Sequence, residues 1–425
     1  MKITKRVAAA AVPLLGLLAA CSEEAGNARV SPAPGSTAAS TPPQAAGRWE
    51  AIGTMPLTPA SALLRVVASG PGEAWAMGYE EYTPEEDPGF PVLQRWDGTR
   101  WSEVPRGDLY MEPTDFAADG AGGIWMVGRS SKSALWDGRR WRARDVYGGS
   151  ETHDLSGVAV REGRAILIGH EFTDAGWWAR VRPFVADWDG RRFTYHTYGK
   201  GSGKFSAVAT GDGHTWIAGA RTLPGCAGIT PLIRHRMAGA KGYDEVLVPD
   251  IPGGELNRIW QISPTDVWAV GTIWPDGGDA ADVDSACAKD ESVTDRASRY
   301  LNASPLVMRW DGSAWKRVDL PAWKGELRDV TAFGEDDVWV SGVQWDGEEG
   351  DAEARPKNSV FIHYDGKSWA REHGPVGDSA YTALARIPGT DRLWAVGSMG
   401  IRDDERAVIL QRSKMPAASP AASTP

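Results

Sequence analysis

The chain has 425 residues, 42% hydrophobic and 24% charged, so it can bury a core and fold as one large domain or two ordinary ones. Its formal net charge is −10 and no basic stripe runs through it, which excludes a phosphate-binding surface and so excludes nucleic acid as a partner. Three cysteines without C-x-x-C spacing exclude a dithiol redox pair and a cysteine-rich zinc site.

Residues 1–21 read as a targeting segment. "MKITKR" is a basic start, and "VAAAAVPLLGLL" is an apolar run too short for a stable membrane span. The segment ends in "LAAC", Leu18 to Cys21, which resembles the bacterial lipobox. That resemblance implies cleavage before Cys21, lipidation of Cys21, and anchorage on the outer face of the cell membrane. Residue 22 is Ser rather than Asp, so nothing points to inner-membrane retention. Residues 22–46 and 414–425 are rich in Ala, Pro, Ser and Thr and poor in large apolar groups; such segments cannot offset their ordering entropy and read as a tether and a tail. The folded part is 47–413.

Within it two phrases recur. One is a short apolar run closed by Gly, from "EAWAMGY" (73–79) through "DVWAVGT" (266–272) to "RLWAVGS" (392–398), in seven copies. It suits a strand buried on both faces. The other is "RWDGTRW" (95–101), with counterparts at 135–141, 187–193, 309–315 and 363–369. Its Asp-Gly pair suits a tight hairpin turn, because Gly tolerates positive φ. With a further short strand before each apolar run, every unit makes four antiparallel strands of about 52 residues, a period that marks propellers or solenoids. The ends decide between them. The seventh unit lacks a fourth strand, and the orphan "GRWEAIGTMP" (47–56) at the other end matches "TRWSEVP" (99–105). The expected fold is therefore all-β: a seven-bladed β-propeller whose N-terminal strand closes the last blade, which also protects the sheet edges. Fifteen of the 21 tryptophans fall on repeat positions, which assigns them to packing between blades.

Region 47–413 resembles the Trp-rich propeller repeats of secreted and lipid-anchored bacterial proteins, in "DVWAVG" followed by "RWDGSAW". Asp-box propellers, including sialidases, carry a D-x-G-x-T-W phrase on the same hairpin, but "DGTRW" is one residue shorter. Kelch blades need a Gly-Gly doublet in each repeat, which only Gly122-Gly123 offers at the right place, and WD40 blades need a "GH" pair in each repeat, which these units do not share. These likenesses concern the fold; one fold hosts many activities.

Function is expected on the face that carries the connections between second and third strands, because length variation collects there while the other turns are uniformly tight. Trp177, Trp178, Trp274 and Trp345 fall in those loops and Trp323 in a connection between blades. As a set they suggest an aromatic platform for a glycan or a protein; singly, each suits local loop packing. The same loops are acidic, at 80–87, 276–284 and 346–353, where calcium is the functional alternative to a solvated surface; no other cofactor is implied. Cys226 and Cys287, in loops of adjacent blades outside the cytoplasm, are expected to form a disulfide. Arg65, Asp115, Arg258 and Asp329 occupy equivalent positions on inner strands, where they either ring the channel mouth as a polar site or join blades as a charge network. No His or carboxylate pattern singles out a catalytic centre. The reading is a monomeric, lipid-anchored, non-catalytic binding or scaffold module, and its rival is a sialidase-like hydrolase or lyase with a site at the channel mouth.

Overall fold

The computed structural model describes residues 47–54, 56–83, 89–105, 111–118, 123–148, 152–172, 181–199, 203–278, 280, 283, 287, 293–346, 355–374, 378–400 and 404–414. Cys21, residues 22–46 and 415–425, Trp177, Trp178 and most of the acidic loop residues lie outside them, whereas Lys414, assigned above to the tail, ends a strand.

Seven four-stranded antiparallel sheets follow in order: blades 1 (61–103), 2 (113–145), 3 (153–197), 4 (204–245), 5 (254–317) and 6 (326–373), then a seventh whose first three strands span 379–414. The fourth strand of blade 7 is Gly47–Thr54, paired antiparallel with Arg406–Lys414. The expected propeller and its closure are both present. Charge also holds the closing strand. Glu372 of blade 6 accepts two hydrogen bonds from Arg412, each 2.9 Å, and one from the Trp49 indole at 3.0 Å. Both partners of that ion pair are 5% exposed, and every donor facing the carboxylate is matched, as burial of a charge demands.

The repeated tryptophans act as cogs. Trp75, Trp125, Trp216, Trp268, Trp339 and Trp394, one on each second strand but that of blade 3, are among the largest fully buried side chains. Each reaches into the next blade. Trp394 lies 5.2 and 5.4 Å from Trp96 and Trp101, and Trp75 lies 5.0 and 5.3 Å from Trp136 and Trp141. Trp216 meets Trp310 and Trp315 at 5.3 and 5.5 Å, and Trp268 meets Tyr364 and Trp369 at 5.5 and 5.8 Å. The residue paired with the cog across its own sheet covers the ring: Arg309 over Trp268 at 4.8 Å, His235 on Trp216 at 3.6 Å. The phrase around Asp-Gly is thus the socket for the preceding blade's cog. Its Asp pins the turn, as at Asp97, whose Oδ1 accepts the backbone N–H groups of Thr99 and Arg100 at 2.9 Å each.

A second device explains the Gly that closes each apolar run. Every inner strand carries a register shift, such as those between Leu63 and Arg65, Leu256 and Arg258, and Leu327 and Asp329. The extra residue of such a bulge is unpaired, and in four blades it bonds to the next: Thr114, Ser156, Asn257 and Thr382 donate to carbonyls there at 2.7–2.9 Å. Opposite the bulge the two strands crowd together. A Cβ on Gly78 or Gly271 would lie 1.8 or 1.9 Å from a carbonyl oxygen of the inner strand, so only Gly fits.

Two details depart from the sequence reading. The 3–4 connection of blade 4, residues 237–243, is longer than the others and has no Asp-Gly turn. The long loop of blade 5 contains a helix, Val293–Asn302.

Truncating a buried cog should remove its transfer energy and leave a cavity. Trp268→Ala is expected to lower unfolding stability by about 3–5 kcal/mol in chemical denaturation. Gly271→Ala should lower it by about 1–3 kcal/mol or more through overpacking, although it adds only a methyl group.

Candidate binding face

The bulge decides what points into the channel. After each unpaired residue the next side chain turns toward the axis, and in blades 1, 2, 5 and 6 these are Arg65, Asp115, Arg258 and Asp329. In blades 3, 4 and 7 the matching residues are Gly157, Ala207 and Ala383, which leave room for longer side chains from across the ring. Arg258 uses that room. It spans the channel from blade 5 to blade 2, donating to Asp115 Oδ1 at 2.8 Å and Oδ2 at 3.3 Å. Asp115 also accepts Arg65 Nε at 3.2 Å and the backbone N–H of Val158 at 3.2 Å, so each of its oxygens takes two bonds. Asp329 accepts the N–H groups of Val330 and Leu384, both at 2.8 Å, and lies 3.7 Å from Arg258 Nε.

The network touches blades 1, 2, 3, 5, 6 and 7. Burial, the largest influence on Asp115, pushes its pKa up, but Arg258 and Arg65 outweigh it and the carboxyl titrates below its usual range. At Asp329 burial wins and the pKa is raised. Arg258 is pulled down by burial yet raised on balance by Asp115 and Asp329, whereas burial, aided by Arg258, pulls Arg65 down to about 10. A carboxylate such as Asp115, with both oxygens doubly bonded, has no lone pair directed at a substrate. The four residues therefore meet as a tie between blades.

Toward the rim of that face lie the aromatic residues. Trp274 and Trp345 occupy the same position in their blades, three residues after the repeat Gly, and each indole N–H donates at 3.2 Å to a carboxylate at the start of its own inner strand, Glu255 and Glu326. Tyr300, on the helix, joins them: its ring centre is 5.4 Å from Trp274 and 4.5 Å from Trp345. Arg328 hydrogen-bonds Glu326 and sets its guanidinium 6.0 Å from the Trp345 ring. These three aromatic residues, all half-buried, make one ladder across blades 5 and 6. Trp345 stands on the strand Asp337–Asp346, paired with Pro356, rather than in a loop as its position suggested.

Cys226 and Cys287 are joined, with Cα atoms 5.4 Å apart, and tie the long loop of blade 5 to blade 4. Trp274 packs against the small core around this disulfide, with Ala220, Ile229 and Val283. Trp323 lies between blades 5 and 6, against Gly325 and Gly342, with the Arg371 guanidinium 5.8 Å from its ring; it takes no part in the ladder. Among the described residues no group of three or more His, Cys, Asp or Glu side chains could hold a metal ion. Sequence reasoning missed Tyr300, Glu255 and Glu326. The shared "GEL" at 254–256 and 325–327, before two tryptophans in register, was the available signal for the carboxylates.

No protein-family model matches the chain, and no curated protein matches it. Solved structures do. YCF48 from Cyanidioschyzon merolae aligns at 14% identity over 86% of this chain and 98% of its own, with a TM-score of 0.51. A structure described as YCF48 bound to D1 peptide aligns at 12% identity over 87% and 97%, with a TM-score of 0.50. The likeness is one of fold. At this identity it says nothing of which residues bind.

Arg258→Met should strand two buried carboxylates and destabilise the ring by about 3–5 kcal/mol. The Asp115 contribution is present above the usual carboxylate pKa and fades as the pH falls below it, because its folded-state pKa is lowered. Thermal melts from neutral to acid pH should therefore show a shallower acid decline for Asp115→Asn than for the parent, from a lower starting Tm.

Proposed function

We propose that the chain is a non-catalytic binding or scaffold module, anchored through Cys21 on the outer face of the cell membrane, that holds a partner protein on the face carrying its 2–3 connections. The observation that carries this is the Trp274–Tyr300–Trp345 ladder. Its rings are held by Glu255, Glu326 and the disulfide-bound loop, so their positions are set before a partner arrives. Preset aromatic groups beside charged ones are what interface hot spots use, since little ordering entropy remains to be lost on binding. The solved propeller with a bound D1 peptide supports a peptide-binding role for the fold. The channel carboxylates are occupied in joining blades, which favours binding over hydrolysis.

A glycan stacked on Trp274 and Trp345 is the second reading, favoured by their half-exposed indoles. The acidic loops would add calcium to either.

A photo-crosslinking residue at Lys324, on the ladder face, should give a discrete protein adduct in the native envelope, and one at Arg139, on the opposite face, should not. Trp274→Ala with Trp345→Ala should abolish the adduct. Equal labelling from both positions, or none from Lys324, would remove the proposal. A tryptophan-fluorescence change that saturates with a polysaccharide, with or without calcium, and disappears in the double variant would assign the face to a glycan instead.

A further inference from the structure

The cog rule fails at one junction, between blades 3 and 4, and it fails on both sides. On the second strand of blade 3 the cog position is Ile166, where six other blades have Trp. The socket in blade 4 is altered to match: Arg236 stands where blade 5 has Trp310, and Tyr243 where it has Trp315. The residue paired with the cog is also changed. Ile166 pairs with Asp187, whereas the six tryptophan cogs pair with Arg, Leu, His or Gln and none with a carboxylate. Beside the apolar contact that Ile166 keeps with blade 4 stands a polar cluster centred on Asp187, which accepts Arg236 and the Tyr243 hydroxyl at 2.5 Å each and pairs with His196 Nε2 at 3.0 Å.

These smaller and more polar side chains leave space. A cleft of 960 Å³ lies between the blades on the face opposite the ladder, floored by Ile166 and Asp187 and rimmed by the long 237–243 connection. Small-ligand sites typically run to about 300–1,000 Å³. A place where a sequence breaks its own packing rule on both sides of a junction is where function is expected.

The lining indicates the ligand. Four cationic side chains and four carboxylates face the cleft, several already paired, as Arg161 is with Asp212 at 2.9 Å. An ion of either sign would meet as many like charges as unlike ones. A hydrocarbon would strip water from these groups without replacing its hydrogen bonds. A neutral polyol avoids both penalties, because each hydroxyl donates to a carboxylate and accepts from a guanidinium. We infer that the cleft between blades 3 and 4 binds a neutral saccharide of one or two rings, independently of any partner on the ladder face.

The test is isothermal titration of the full chain with maltose, cellobiose and N,N′-diacetylchitobiose. Two variants run alongside. Ile166→Trp restores the cog of the other junctions and fills the cleft; Arg161→Ala removes a rim donor whose side chain is 46% exposed, so folding is untouched. Saturable heat with at least one sugar is expected, weakened about tenfold or more by each variant, which is a loss that titration resolves readily. If Ile166→Trp fails to fold, Arg161→Ala decides alone. No saturable heat with any of the three sugars overturns the inference. So does binding that folded Ile166→Trp retains at the parent's affinity, or that Trp345→Ala abolishes while the cleft variants do not.

Discussion

A four-stranded blade cannot bury either of its faces alone, and this constraint governs the rest of the molecule. Each sheet is apolar on both sides, so each needs a neighbour on both sides, and only a closed ring supplies one to every blade. The contact that meets this need is a tryptophan from one blade seated between two aromatic residues of the next. Trp268 between Tyr364 and Trp369 shows the form, and Arg309 over the ring shows how a cation completes it. The last contact must be made by the first strand, because the ring has no other free edge to offer. Trp49, bound to Glu372 and packed on Phe361 at 3.9 Å, makes it.

Near the axis packing is set by the backbone. A bulge in every inner strand frees one side chain, which in four blades bonds to the next blade, and turns the following one into the channel, and the crowding opposite it requires Gly. Four of the seven inward positions are charged and three are small, and the small ones let Arg258 cross to Asp115. The resulting tie reaches six blades through two carboxylates and two guanidiniums whose hydrogen-bonding capacity is largely met within the protein. A buried charge cluster of this kind is tolerable because it is satisfied, and for the same reason it is ill suited to act on a substrate.

The two faces of the ring then separate in character. On one, the helix in the long loop of blade 5 sets Tyr300 against Trp274 and Trp345 of blades 5 and 6 as an aromatic ladder. On the other, a cleft lies where blade 3 lacks the cog and blade 4 lacks the aromatic pair that would receive it. Blade 4 is also the one blade that the channel tie does not touch. Its junction with blade 3 combines an apolar cluster, Ile166, Ile168 and Val185 against Phe205, Ile217 and Leu232, with the bonds that Asp187 accepts from Arg236 and Tyr243 beside an open cleft.

The sequence by itself determined the all-β class, the seven blades and the closing strand, because each is a matter of local repetition: a strand, a turn and an orphan can be counted along the chain. It also placed Cys226 and Cys287 on one face, since loops of adjacent blades emerge side by side. Tertiary structure alone decided which neighbour each tryptophan enters, since a repeat reads the same in both directions around a ring. It alone decided that Arg258 meets Asp115, 143 residues away, through room left by small residues in three other blades. Tyr300 reaches Trp345 only because a helix forms inside a loop that sequence leaves featureless. The loss of a cog at Ile166 acquires meaning only beside Arg236 and Tyr243, because a cleft belongs to two surfaces and no single stretch of chain contains both.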